Sequence, residues 1–436
     1  MDARLQLRFR QLVVEHLHGA DPLAAGIHAL SIPGLADGFA AVLGACRFLH
    51  NDTVDLPCLI EPLHQVARQW DLQQETSWNL AIHDWSALKY PSHTSKTDRT
   101  KISHYEEHGY ELATVLLVDA SNGSPVAPLE MRLLTARGVY STRTPTPATT
   151  AVRIDEILAS MQATTALGLR TKLVHVIDRE ADSLAHYRAW QAAGQTFLVR
   201  ADGERVVRWQ DKELCLSVLG QRLHNQGLFQ RSRAVNYKGQ TAVQHVAETT
   251  VVLDRPAWRC RKKDGKRGHV RIPGEALTLR LIVSRVCNAT GETLAVWYLL
   301  TNVPASVDTA TIALWYYWRW RIESFFKLLK QAGQQVENWQ QETGAAIAKR
   351  LLIAAMACAL VWHIERHPAP EAALLRQLLV KLSGRQMKHG KTHTTPALLA
   401  GLWVYATMLE TLEHHSVEEL RSLRKYLSFI TPADTG

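Results

Sequence analysis

Between residues 76 and 203 the chain alternates short apolar segments with amphipathic ones, and this alternation constrains the fold more than any other feature. NLAIHDWSAL contains a short apolar strand ending at Asp84. ATVLLVDASNGSPVAPLEMRLLTARG reads as two strands joined by an Asn-Gly turn. TAVRIDEILASMQATTALG has helical spacing, and TKLVHVIDREADS is an apolar strand ending at Asp178. DSLAHYRAWQAAG is again helical, and TFLVRAD is another strand. Strands followed by helix, strand, helix and strand require an α/β fold with a mixed sheet and helices packed on it. Acids at strand ends are held rigidly while staying open on the loop side, so Asp84 and Asp178 are candidate site residues.

The flanking regions differ in pattern. Residues 1–75 place apolar residues at helical spacing in three segments, RLQLRFRQLVVEHL, GFAAVLGACRFLH and LIEPLHQVARQWDL. Arg47, His50, His64 and Arg68 would project from this block, as the face of a DNA-binding domain or as a plain helical cap. Residues 204–305 are dominated by strand-like pieces such as ETTVVLD, ALTLRLIVSRV and TLAVWYLLTNVP. Within them WRCRKKDGKRGHVR reads as a basic loop, either a mobile arm suited to a phosphate backbone or a plain solvated loop. Helical segments follow to the end: TGAAIAKRLLIAAMACALVWHIE, EAALLRQLLVKL, TPALLAGLWVYATMLETLE and VEELRSLRKYL.

Composition narrows the partner. The 436 residues carry a formal net charge of +9, which favours an anionic partner, with nucleic acid the commonest. Six cysteines lie far apart with no CxxC pair, so neither a zinc site nor a disulfide framework is indicated. The first 17 residues mix charge into their apolar run and do not read as a signal peptide. The longest apolar stretch, LLIAAMACALVW, reads as too short to span a membrane. A cytoplasmic protein with no membrane partner is expected.

The chemistry concentrates in TIALWYYWRWRIESFFKLLKQAG, Thr311 to Gly333. At about 100° per residue in one continuous helix, Tyr316, Arg319, Glu323 and Lys330 share a face. Leu314, Phe325, Leu328 and Leu329 take the opposite one. A carboxylate among cations and aromatics suits a site that handles a metal ion and phosphates. With Asp84 and Asp178 it supplies three carboxylates, the oxygen ligands that hard divalent ions prefer.

The spacing Tyr-x2-Arg-x3-Glu-x6-Lys behind an Asp-Arg-Glu triplet resembles the bacterial DDE transposases of the insertion-sequence type 4 family. Matching pieces are NLAIHDWSALKY, VIDREADSLAHY, Tyr316, Arg319, Glu323 and Lys330, with GETLAVWYLLTNVP and GACRFLHND also similar. The likeness runs from about residue 35 to 365. It implies an RNase H-like core, a five-stranded mixed sheet with flanking helices, interrupted by a large β insertion. It implies that Asp84, Asp178 and Glu323 bind two Mg²⁺ ions, with Mn²⁺ as a substitute. The implied reaction is nicking of a transposon end, hairpin formation and opening, and strand transfer into target DNA by a homodimer. Tyr316, Arg319 and Lys330 would hold phosphates, and Trp297 would stack on a flipped base. Trp320 matches a further family position, and Arg321 and Lys327 would add DNA contacts. Where relatives often carry Trp, HGYELATVLLV has Tyr110.

The expected organisation is a helical N-terminal DNA-binding domain (1–75), the first part of the core (76–203), the β insertion (204–305), the second part of the core with Glu323 (306–367) and a helical C-terminal region (368–436). Two alternatives share the acids: another RNase H-like DNA nuclease, and a domesticated DNA-binding protein without cleavage activity.

Overall fold

The structure is a computed structural model that describes residues 1–17, 43–102, 107–149, 153–263, 266–330 and 332–423. The chain divides into two compact units. One comprises Ile60–Leu88 and Thr100–Phe325, the other Met1–Leu59, Lys89–Arg99 and Phe326–Gly436. The sequence expectations for residues 38–42, for 424 onward and for Asp264 and Gly265 lie outside the described residues.

The first unit is mixed α/β. Its strands are β1 (Trp78–Lys89), β2 (Thr100–Lys101), β3 (His108–Asp119), β4 (Pro125–Thr135), β5 (Gly138–Ser141), β6 (Lys172–Ile177), β7 (Phe197–Ala201), β8 (Val206–Trp209), β9 (Lys212–Cys215), β10 (Gln230–Tyr237), β11 (Gln240–Leu253), β12 (Ala257–Lys263), β13 (Lys266–Ile272), β14 (Leu277–Cys287) and β15 (Thr293–Thr301). Among the described residues, 13 of them form one sheet in the order β5-β4-β3-β1-β6-β7-β15-β14-β11-β8-β9, with β2 on β3 and β10 on β11. β1, β6 and β7 are parallel. That arrangement covers both faces of the central strands, which explains why NLAIH and LVHVI read as continuous apolar runs instead of alternating ones. Three helices, Glu156–Thr165, Leu184–Ala192 and Leu216–Asn225, bury Ile157, Met161, Tyr187, Trp190, Leu219 and Leu223 in one cluster with sheet residues such as Phe197, Leu281 and Leu300.

Residues 204–305 are largely β, as their pattern indicated, and they extend the same sheet: β15 runs antiparallel to β7, and β14 and β11 follow. The basic stretch Trp258–Arg271 is not a loop. β12 and β13 pair from Ala257↔Ile272 to Lys263↔Lys266 as a hairpin. His64 and Arg68 do not project freely either. His64 Nε2 lies 2.9 Å from the Leu129 carbonyl, and Arg68 donates to Glu61 at 2.7 Å and to the Leu167 carbonyl at 3.3 Å.

A buried acid ties β1 to β6. Asp71 accepts the Arg170 amide at 2.5 Å and the Thr171 hydroxyl, and Thr171 accepts Asn79 Nδ2 at 2.7 Å. Both strands are thereby fixed at their N-terminal ends, and their C-terminal ends emerge in register.

The segment 311–333 is not one helix. Helix Thr309–Tyr317 stops, and helix Trp320–Leu329 begins after a turn at Trp318 and Arg319. No Gly or Pro marks the break. The bonds Arg319 N to Tyr316 O at 3.1 Å, Arg321 N to Trp318 O at 2.9 Å and Ile322 N to Arg319 O at 3.2 Å tighten the chain to i→i+3 spacing. Tertiary anchors hold it there. Trp315 Nε1 donates to the Ala120 carbonyl at 3.0 Å, and the Trp318 ring covers Gly123 in the β3–β4 turn. Gly123 has φ of +74°, and a Cβ there would meet the Trp318 ring at 2.5 Å.

The second unit is mainly helical. Ala3–Leu17 packs on Gly344–Arg366 and on Thr395–His414, beside Pro370–Leu382. Asp98 accepts the Gly344 amide at 2.8 Å and Thr343 caps the Ala346 amide, so two of the orphan donors at the start of the 23-residue helix are satisfied. This helix is long and apolar enough to cross a membrane, which corrects the reading of its apolar run as too short. Instead, 83% of its most apolar window is buried inside the protein, so its hydrophobicity serves a core. Lys96, itself buried, donates to the Trp339 and Gln341 carbonyls at 2.7 Å each.

Gly123→Ala is expected to cost about 1–3 kcal/mol, because it adds steric overlap with Trp318 to a positive φ. Gly168→Ala, at φ of +67° with nothing within 4 Å, should cost only about 1 kcal/mol. Urea denaturation of the two variants side by side checks this; equal losses would mean that Trp318 does not press on the turn.

Candidate active site

The β1–β6 ladder ends at His83↔Ile177, so the next residues on these neighbouring parallel strands are Asp84 and Asp178. Strands about 4.8 Å apart deliver their side chains side by side. β1 itself continues to Lys89 instead of stopping at Asp84. Asp178 leaves β6 and caps the 3-10 turn Arg179–Ala181, accepting the Arg179 amide at 2.7 Å. Asp84 Oδ1 accepts the Trp85 amide at 2.8 Å. Each carboxylate therefore has one oxygen held by backbone.

Glu323 comes from the first turn of helix Trp320–Leu329, and Arg319 from the turn just before it. The Arg319 guanidinium reaches all three acids, at 2.9 Å from Asp84 Oδ2, 3.5 Å from Asp178 Oδ2 and 2.9 Å from Glu323 Oε1. Tyr316 donates its hydroxyl to Asp178 Oδ1 at 2.9 Å. Arg200, on β7, stands 3.9 Å from the same oxygen. Sequence reasoning missed Arg200; the signal was a cation at the open end of an otherwise apolar strand, TFLVRAD.

Electrostatics divide the two aspartates. Burial pushes Asp84 up to about 6 from an ordinary value of 3.8, against the pull of Arg319 and the Trp85 amide. Burial also opposes ionisation of Asp178, but Arg319, the Arg179 amide and the Tyr316 hydroxyl outweigh it and hold that carboxyl below its usual range. The Tyr316 phenol is raised, first by burial and then by Asp178.

Aromatic rings continue from the acids. Trp297 lies with its ring 5.7 Å from Tyr316 and 6.3 Å from Tyr237, and it is buried among them. Tyr237 is a further aromatic that sequence reasoning did not single out. Tyr110, by contrast, is fully buried in β3. Trp320 is 48% exposed, with the Arg319 guanidinium 5.5 Å from its ring, and Arg321 is exposed beside it. Lys327 and Lys330 belong to the helical unit. Lys327 is exposed there, and Lys330 lies 3.7 Å from Glu337, with burial lowering its affinity for a proton. Asp84, Asp178, Glu323, Tyr316 and Arg319 are thus one cluster, with Trp297 against it. The helix break accompanies the turn of Tyr316 and Arg319 toward the acids.

Three carboxylates face one bridging guanidinium, so the cluster carries a charge deficit that divalent cations could balance, and its donors are the hard oxygens such ions prefer. Among the described residues no three acidic or imidazole groups are gathered tightly enough to close around an ion as they stand. At this triad the Arg319 guanidinium stands among the three carboxylates.

The transposase DDE domain family matches residues 79–360, and the chain belongs to this family. That span includes all three acids. Among solved structures the chain is similar to the piggyBac transposase in its synaptic complex with hairpin DNA. The identity is 12% and the TM-score 0.36, with coverage of 99% of this chain and 76% of that one. None of the curated proteins matches.

The raised Asp84 makes a pH-dependent prediction. The folded chain keeps this proton to about pH 6, whereas the unfolded chain releases it near 3.8. Between those values the folded form binds more protons, so this group's contribution falls as pH rises. With divalent ions chelated, Asp84→Asn should gain on the order of 1–3 kcal/mol relative to wild type between pH 4 and pH 8. Denaturation at both pH values measures it, and a constant difference would contradict the burial argument.

Proposed function

We propose that the chain is a DDE transposase that cuts an insertion sequence out of DNA and joins it to a new site. The observation that carries this reading is the convergence of Asp84, Asp178 and Glu323, from two adjacent strands and one helix, on a single cation. The order β4-β3-β1-β6-β7 with a parallel centre supports assigning an RNase H-like core interrupted by a β insertion. The spacing of Tyr316, Arg319, Glu323 and Lys330 supports the insertion-sequence type 4 assignment.

Asp84 Oδ2, Asp178 Oδ2 and Glu323 are the groups that would hold two Mg²⁺ ions, with Mn²⁺ as a substitute. When bound, such ions activate water at one side of a phosphodiester and stabilise the leaving oxygen at the other. The chain's own contribution is positioning. The Trp85 amide orients Asp84, and the Arg179 amide and the Tyr316 hydroxyl orient Asp178, so less reorganisation of these two acids is left for the reacting state. Arg200, Arg319, Arg321, Lys327 and Lys330 supply positive charge for the phosphates of the transposon end and the target. Trp297 and Tyr316 present aromatic surface that would take a base unstacked during hairpin formation, where stacking contributes about 1–3 kcal/mol. Segments 1–75 and 368–436 are assigned to end recognition and to pairing of two copies, and the cytoplasm is the expected setting.

Asp178→Ala and Glu323→Ala should each lower Mg²⁺-dependent cleavage on the order of 10³-fold while leaving binding to the element's inverted repeat within about twofold. A gel assay of nicking beside a binding titration decides this, and normal nicking by either variant removes that residue from the site. Trp297→Phe should slow the hairpin step more than the first nick; equal slowing of both in a time course would assign Trp297 to packing alone.

A further inference from the structure

Arg319 is only 6% exposed, yet its partners are the three acids themselves. The oxygens it engages, Asp84 Oδ2, Asp178 Oδ2 and Glu323 Oε1, are those left available by the backbone. Asp84 Oδ1 is taken by the Trp85 amide, and Asp178 Oδ1 by the Arg179 amide and the Tyr316 hydroxyl. A divalent ion held jointly by Asp84 Oδ2, Asp178 Oδ2 and Glu323 Oε1 would compete for the oxygens that the guanidinium engages. The guanidinium's own position is incomplete, since its Nε is buried without a hydrogen-bond partner. A buried donor left unpaired weighs against this arrangement.

We propose that Arg319 is the resident counter-cation of the triad in the metal-free chain, that it competes with divalent ions for these three oxygens, and that metal entry releases it toward a phosphate of bound DNA. This inference rests on the two-metal reading above. One guanidinium cannot remain within hydrogen-bond distance of carboxylate oxygens that ligate a metal without like-charge repulsion. Its release places a planar, five-donor cation beside the metals, where a phosphate has to bind. Metal and DNA then favour each other's binding, because each draws on a state in which Arg319 has left the acids, and the coupling is reciprocal.

The test is Mn²⁺ binding to the full-length chain without DNA, followed by isothermal titration or by the electron paramagnetic signal of free Mn²⁺. Arg319→Gln and Arg319→Ala should bind Mn²⁺ about tenfold tighter than wild type, and Arg319→Lys should fall between. Equal or weaker binding by a folded Arg319→Gln overturns the inference. Mn²⁺ binding to wild type that survives Asp84→Asn and Asp178→Asn would instead take down the two-metal reading, and the inference with it. A second measurement needs no variant. In a crystal of the wild-type chain grown with Mn²⁺, the guanidinium should have left the metal-bearing oxygens. An ion bound at the triad with Arg319 still on Asp84 Oδ2 and Glu323 Oε1 overturns the proposal.

Discussion

The contact of one guanidinium with three carboxylates is the interaction on which the site depends. Asp84, Asp178 and Glu323 come from distant parts of the sequence, and bringing three negative charges together in a partly buried place is costly unless a cation shares it. Arg319 meets that requirement from within the chain. The unequal response of the two aspartates follows. Asp84 is the more deeply buried and resists ionisation, while Asp178 gathers two amide or hydroxyl donors as well as Arg319 and ionises readily.

The rest of the unit reads as support for that contact. Parallel pairing of β1 with β6 sets two acids side by side, and the buried Asp71–Thr171–Asn79 cluster fixes the far ends of the same strands. The third acid and the arginine arrive on the other side of a helix break, and the β3–β4 turn holds that break through Ala120 and Gly123. Residues 204–305 join the same sheet through β15, which brings Trp297 against Tyr316. Fold, acids and aromatics are thus connected by direct contacts within one unit.

Much of this was legible in the sequence. Apolar runs ending at Asp84 and Asp178 gave the strands, because parallel central strands must be apolar on both faces. The Asn-Gly dipeptide gave the β3–β4 turn. What escaped detection was tertiary. YYWRWRIESFF carries no breaker, so helical periodicity runs through it, and the break falls where Trp315 and Trp318 are anchored on the β3–β4 turn. That break turns Tyr316 and Arg319 inward, a change no single-helix projection could contain. Arg200 and Tyr237 were missed because each stands alone in its strand pattern; register brings Arg200 to Asp178, and a ring contact outside the strand register brings Tyr237 to Trp297. Glu323 was found through its spacing to Tyr316 and Arg319, although the geometry behind that spacing differs from a shared face.

The central claim is that these three acids form one metal-binding site, and cleavage of the protein's own backbone by iron tests it most directly. Fe²⁺ bound in place of Mg²⁺, with ascorbate and peroxide, generates hydroxyl radicals that cut the chain within a few ångströms of the ion. The account predicts scission clustered beside residues 84, 178 and 323, suppressed by excess Mg²⁺. Scission elsewhere, or scission at these positions that Mg²⁺ does not suppress, would contradict it.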